Sequence, residues 1–231
     1  MLDSTADDAT RRLLKRDSQG FRPMPIPDAR HYANFADLQK AQVRGRDYDI
    51  HVQYRPTSPV AVIAPHGGNI EDGTSDIARI IADQDCHLYL FEGRRFWHNY
   101  RALHLTSHRF DEPDCLALIQ QCRHVVAVHG CAGDQPEVLL GGLDHDLKHQ
   151  IAESLQAADI PTSTGGHRFP AIHPLNIANR GATGRGVQLE ITHPLRRDPV
   201  HLERVARAVR QALKPLLATA DAHHPDERNI A

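Results

Sequence analysis

The chain has 231 residues, 40% hydrophobic and 24% charged, which is ordinary usage for a globular protein and not that of a disordered one. Lys and Arg total 27 against 29 Asp and Glu, a formal net charge of -2, so overall basicity offers no basis for binding nucleic acid. No apolar run approaches the length that spans a bilayer, and residues 1–30 lack the apolar core of a signal peptide. Histidine is the outlier, with 17 residues against six Phe and one Trp, and that excess invites a metal hypothesis. Cys86, Cys115, Cys122 and Cys131 form no C-x-x-C pair, so they read as reduced, mostly buried thiols. Reduced thiols without a leader favour the cytoplasm, with release by lysis as the alternative.

Residues 1–30 read as a peripheral extension, a short helix followed by the proline-broken arm Arg22–Pro27. The main domain is expected over residues 31–217. Val60–Ala64 is a continuous apolar run and reads as a strand. Ser75–Ala82 places Ile77, Ile80 and Ile81 at helical spacing, with Thr74 or Ser75 available as N-cap. Leu88–Phe91 is a second strand. Glu112–Cys122 is a helix pattern with Pro113 near its start. Val125–His129 is a third strand, Val138–Leu140 a possible fourth, and Asp144–Ala157 a helix. Val187–Thr192 is another strand, more central than edge. Asp198–Leu216 is the strongest helix, with Asp198 as N-cap, Pro199 in the first turn and Leu202, Val205, Val209 and Leu213 as its apolar stripe. Residues 218–231 are polar and read as a mobile tail.

Apolar strands alternating with helices predict a single α/β domain. Its sheet should be mixed, mostly parallel and twisted, with helices on both faces. Such sheets bind ligands where the chain leaves the carboxyl ends of their strands. Functional residues should therefore follow Val60–Ala64 and Val125–Val128 and lie near Val187–Ile191.

Directly after the first strand comes Pro65–His66–Gly67–Gly68–Asn69–Ile70–Glu71. A turn of this kind can aim an imidazole and a carboxylate at one point, as a catalytic zinc site needs. A phosphate-cradling loop is the rival, but the P-loop lysine is missing and Glu71 would repel phosphate. The third strand ends at His129, so His66, Glu71 and His129 make a His/Glu/His set. Three protein ligands leave a coordination position open, the mark of a catalytic rather than a structural site. Cys131 is a weaker competitor, since a soft thiolate lowers Lewis acidity.

In Val187–Ile191, Gln188 and Glu190 point to one face and Val187, Leu189 and Ile191 to the other. A glutamate in an apolar strand is costly to bury unless paired or used, and beside an open zinc position it suits a general base. Asn179–Arg180 can hold a carboxylate or polarise a scissile carbonyl. Arg94 and Arg95 follow a strand end and could form a cationic rim for an anionic substrate. His104 and His108 could support the ligands, donate protons or lie on the surface. Ser107 lacks the G-x-S-x-G context of a nucleophile elbow.

As a set, Ala64–Ala78, Leu103–Pro113, Val126–Cys131, Leu139–Asp144 and Asn176–Ile191 closely resemble the phage-type poly-γ-glutamate hydrolase family. The resemblance covers about residues 45 to 215 in order and spacing. It implies a carboxypeptidase-like α/β fold, distantly similar to the zinc carboxypeptidases and aspartoacylase. It further implies one Zn2+ on His66, Glu71 and His129, and Glu190 where these enzymes keep their general base. Arg180 looks like the carboxylate- or carbonyl-binding arginine, although in the carboxypeptidases proper the comparable Asn-Arg pair precedes the last histidine ligand.

The expected activity is hydrolysis of γ-glutamyl amide bonds. Glu190 and Arg180 are the catalytic groups, and Asn179, Arg180, Arg94, Arg95 and His104 bind an anionic γ-glutamyl chain. A monomer without nucleic-acid or membrane partners is favoured. The alternatives are a zinc-dependent deacylase of small N-acyl amino acids and a non-catalytic zinc-binding module.

Overall fold

The structure is a computed structural model and describes residues 32–221. The expected N-terminal helix and arm lie outside those residues, as does the chain beyond Asp221. In order, the chain forms α1 (Phe35–Ala41), β1 (Tyr48–Gln53), β2 (Val60–Gly68), α2 (Thr74–Ala82), β3 (His87–Gly93), α3 (Asn99–Leu103) and α4 (Pro113–Ile119). It continues with β4 (His124–Cys131), β5 (Val138–Gly141), α5 (His145–Ala157), β6 (Thr162–Ser163) and a 3-10 turn over Ile177–Arg180. The last elements are β7 (Val187–Thr192), α6 (His193–Arg197) and α7 (Pro199–Asp221).

The strands form one seven-stranded sheet in the order β1-β3-β2-β4-β7-β5-β6. β3, β2, β4 and β7 run parallel, while β1 and β5 pair antiparallel with β3 and β7. This is the mixed, mostly parallel α/β sheet that the alternation of strands and helices predicts. Strand alternation sends Val60, Val62 and Ala64 of β2 to one face, where they pack with Ile77 and Ile81 of α2, Leu147 and Ile151 of α5, and Val205, Val209 and Leu213 of α7. Ala61 and Ile63 face the other way, among Phe35 and Leu38 of α1, Leu103 of α3, Cys115 and Leu118 of α4, and Ile177. β7 breaks this rule on one side only. Val187, Leu189 and Ile191 enter the first core, whereas Gln188 and Glu190 point away from it.

Local chemistry explains most element ends. Asp198 caps α7, its Oδ1 accepting from the N–H groups of Val200 at 2.9 Å and His201 at 3.0 Å. α7 runs on through Pro215 to Asp221, so residues 218–221 lengthen this helix rather than open a tail. The N-cap of α2 is Gly73 at φ +86°, not Thr74 or Ser75. Those two hydroxyls hold the preceding loop instead. Thr74 Oγ1 donates to the Glu71 carbonyl at 2.8 Å, and Ser75 Oγ accepts from the Gly68 N–H at 2.9 Å. Glu112 caps α4 through the Cys115 N–H at 2.9 Å, and α4 stops at Ile119, short of the Cys122 that the spacing predicts.

Candidate active site and metal centre

β2 delivers His66 at the carboxyl end of the sheet. The chain then turns through Gly68 at φ +59°, where a Cβ would stand 2.6 Å from the Gly93 carbonyl oxygen, so only glycine fits. The Glu71 N–H donates back to the His66 carbonyl at 3.0 Å, which brings the two side chains to one point. β4, the parallel neighbour, delivers His129 beside them, and β7 places Glu190 opposite His129 in register.

The side chains converge closely. His66 Nδ1 lies 3.3 Å from Glu71 Oε1, and His129 Nδ1 lies 3.0 Å from His66 Nδ1 and 3.8 Å from Glu71 Oε2. His66 Nε2 contacts the Leu105 carbonyl at 2.8 Å, which makes Nε2 the donor and leaves the Nδ1 lone pair facing inward. The Gly130 N–H donates to Glu71 Oε2 at 2.7 Å, and Ser107 Oγ stands 3.4 Å from His129 Nε2. His66, Glu71 and His129 are all buried.

The electrostatics follow from that burial. Burial pushes the Glu71 carboxyl up, but His66, His104 and His129 together outweigh it and hold it well below the carboxylate range. Burial lowers the His66 imidazole, but the charge and hydrogen bond of Glu71, the Leu105 carbonyl and the Glu190 charge together outweigh it, so His66 is raised. Burial, followed by the charge of His66, pushes His129 down to about 3 and keeps it neutral. A carboxylate with two inward ring nitrogens is a donor set for a divalent cation. Bonds of ~2.0–2.1 Å from each nitrogen span a 3.0 Å gap.

His104 competes for the same place, since His66, Glu71 and His104 offer ligand atoms that all lie within 4.8 Å of one another. Its Nε2 is 3.2 Å from Glu71 Oε1. Ring orientation separates the two histidines. His104 stacks on His66 with centroids 3.9 Å apart and planes at 31°, whereas His129 meets His66 at 73° with the two Nδ1 atoms facing. A metal must lie near the plane of each ring that binds it, so His129 fits a shared ion with His66 better than His104 does. Burial and the His66 charge lower His104, leaving it a neutral hydrogen-bond partner of Glu71.

A cavity of about 890 Å3 opens above this cluster. Glu190 lines it at 6% exposure, and burial followed by the Glu71 charge pushes its carboxyl up to about 8. Gln188 Nε2 donates to Glu190 Oε1 at 2.8 Å, and Asn176 Nδ2 donates to Gln188 Oε1 at 2.8 Å, so the carboxyl is held in one orientation.

The other expected residues are placed elsewhere. Arg180 ends the 3-10 turn on the Cys115 side of the sheet and does not line the cavity. Asn179 is buried and takes a structural part. Its Oδ1 accepts from the N–H groups of Leu143 and Gly186, both at 3.2 Å, and its Nδ2 donates to the carbonyls of Ala171 at 2.8 Å and His173 at 3.1 Å in the cavity wall. Arg94 pairs with Asp49, and Arg95 Nη1 binds Asp47 Oδ1 at 2.8 Å and Gln42 Oε1 at 3.0 Å, so neither faces the cavity. The arginines that do line it are Arg168, Arg196 and Arg197. Arg196 and Arg197 leave the carboxyl end of β7, a position that the general rule for α/β sheets marks for ligands.

Comparison with known proteins bears on the family and the fold. The model of the poly-gamma-glutamate hydrolase family matches residues 32–212. The UPF0714 protein YmaC of Bacillus subtilis (strain 168) is 35% identical over 75% of this chain and 74% of its own length. UPF0714 protein YndL of the same organism is 36% identical over 72% of this chain and 65% of its own length. The solved structure of bacteriophage poly-gamma-glutamate hydrolase superposes with a TM-score of 0.77 at 31% identity, covering 83% of this chain and 99% of that one. The zinc-free apo form of YNDL gives 0.73 at 31% identity, over 81% and 98%. Fold and site define an α/β amide hydrolase. The chain belongs to the poly-gamma-glutamate hydrolase family.

Proposed function

We propose that this chain is a zinc-dependent hydrolase that cleaves γ-glutamyl amide bonds, with His66, Glu71 and His129 as the zinc ligands. The observation that carries the reading is the pair of inward Nδ1 atoms 3.0 Å apart beside a buried, ionised Glu71, with the raised carboxyl of Glu190 at the same cavity. A zinc ion bound there supplies Lewis acidity, polarising the scissile carbonyl and making water nucleophilic at neutral pH.

The protein's own groups do the rest. The Leu105 carbonyl fixes the His66 tautomer, and the Gly130 N–H fixes the Glu71 carboxylate. The positive charge of a bound zinc ion would favour the ionised form of Glu190; Gln188 occupies its Oε1, which leaves Oε2 to take the proton from the attacking water and return it to the leaving nitrogen. Arg168 and Arg197 supply positive charge at the cavity for substrate carboxylates, the part that the sequence pattern suggests for Arg94, Arg95 and Arg180.

The test is metal analysis of purified protein, combined with product sizing on poly-γ-glutamate and on a small N-acyl amino acid. Stoichiometric zinc and shortening of the polymer support the reading. Preference for the acyl amino acid supports a deacylase instead, and zinc-loaded protein inert on both overturns the assignment.

A further inference from the structure

The loop that leaves β3 and the helix α3 that follows it present large aromatic side chains to solvent. Phe96 is 92% exposed, Trp97 63% and Tyr100 59%. Single exposed apolar residues are normal, but three within five positions make a patch that calls for an explanation. Phe96 and Trp97 meet edge to face with centroids 4.8 Å apart. Tyr100 lies flat against His104 at 4.3 Å, and both line the cavity. Tyr100 thus belongs both to the cavity wall and to this exposed aromatic stretch, with Trp97 and Phe96 three and four residues before it in the chain.

The loop is also pinned from beneath. The Arg94 N–H donates to the Asp47 carbonyl at 2.9 Å. The Arg95 N–H donates to Asn99 Oδ1 at 2.9 Å, and Asn99 Nδ2 donates to the Arg95 carbonyl at 2.7 Å. The Arg95 guanidinium is anchored on Asp47 and Gln42. His98 takes a left-handed conformation at φ +60° as the chain enters α3. These bonds hold the aromatics outward, where they are presented at little further cost in ordering.

We propose that Phe96, Trp97 and Tyr100 form an outer ledge that holds the stretch of γ-glutamyl polymer running beyond the cavity. The proposal rests on the γ-glutamyl reading above and extends it from the cleaved bond to the chain around it. Each γ-linked repeat carries two methylenes, an amide plane and one carboxylate. Aromatic faces suit the methylenes and the amide, and the exposed Arg101 beside Tyr100 suits the carboxylate. A cavity of about 890 Å3 takes only a short stretch of such a chain, so a long polymer must lie across the surface outside it.

Trp97 is the chain's one tryptophan, so its emission reports on the ledge alone. With zinc-loaded full-length protein, titration with long poly-γ-glutamate should change that emission saturably. In Phe96→Ala and Trp97→Ala, the ratio of KM on the long polymer to KM on a γ-glutamyl trimer should rise about tenfold. Both side chains are exposed, so thermal melts should match those of the parent protein. Emission that ignores polymer at concentrations saturating hydrolysis overturns the ledge, as does an unchanged KM ratio. A dimer seen by sedimentation that Phe96→Ala dissociates, with the KM ratio unchanged, assigns the patch to a second copy and also overturns it. Failure of the γ-glutamyl reading looks different: the parent protein then cleaves neither substrate, and the ledge falls with it.

Discussion

Replacing Glu190 by Gln should stabilise the metal-free protein, and the gain should grow with pH. Glu190 is buried, and burial followed by the charge of Glu71 raises its carboxyl from 4.5 to about 8. Between those values the folded protein holds a proton that the unfolded chain has released. The slope of stability with pH is negative wherever the folded state binds more protons, so the parent loses stability as pH rises through this window. Gln mimics the protonated carboxyl in shape and carries no such penalty. The difference is near zero at about pH 4.5, about 3 kcal/mol at pH 7, and levels near 5 kcal/mol above pH 8, at roughly 1.4 kcal/mol per pKa unit. For a chain of this size, about 3 kcal/mol is a rise of roughly 6–12 °C in melting temperature. The assay is a pair of thermal melts of parent and Glu190→Gln in chelator, from about pH 5 to pH 9. Other titrating groups are common to both proteins and largely cancel in the difference. A gap that stays flat across the range, or that favours the parent at the alkaline end, would refute the electrostatic account of Glu190. The same variant should lose about 10²- to 10⁴-fold in hydrolysis, the range for a positioned acid–base group.

Chelator competition should show that His66→Ala and His129→Ala abolish tight zinc binding while His104→Ala keeps it, because only the first two aim Nδ1 at a shared point. If His104→Ala loses the ion and His129→Ala retains it, the ligand assignment is reversed. Gly130→Ala should lower stability by about 1–3 kcal/mol in metal-free melts, since its Cβ would meet the Arg196 guanidinium, with Cζ only 2.5 Å away. Arg168→Ala should raise KM on an anionic substrate and flatten its dependence on salt, whereas Arg180→Ala, away from the cavity, should leave KM unchanged.

The strands carrying the donors are legible in the sequence because two signals coincide in them. Val60–Ala64 and Val125–Val128 are apolar enough to be central strands, and each ends on a histidine with glycine close behind. Glu190 stands out because a carboxylate interrupts an otherwise apolar strand. What stays hidden depends on partners remote in sequence. Arg94 and Arg95 have the look of a cationic rim, but Asp49 on the neighbouring edge strand and Asp47 just before it claim them, and β1 is too polar to read as a strand. Asn179 and Arg180 are adjacent in sequence yet serve different ends, because the 3-10 turn buries the first among backbone groups and leaves the second outside the cavity lining. Thr74 and Ser75 offer good caps, and only the folded glycine loop shows that their hydroxyls are needed to close it.

Arg196 shows how the donors from separate strands are kept in register. It is buried and makes no ion pair among the described residues, an arrangement that is costly unless its N–H groups are satisfied. Backbone carbonyls satisfy them. Nε donates to Ile191 at 2.7 Å, Nη2 to Cys131 at 3.4 Å, and Nη1 to Asp72. Those carbonyls adjoin Glu190, His129 and Glu71 in turn, since Ile191 follows the first, Cys131 lies two residues past the second and Asp72 follows the third. One planar side chain thus ties together the three chain segments that carry the proposed acid–base carboxyl and two of the proposed donors. Gly130 lacks a side chain because that guanidinium fills the space, and its N–H is thereby free to reach Glu71 Oε2. The cation also lies close enough to Glu71 to favour its ionised form, which is the form a metal ligand needs.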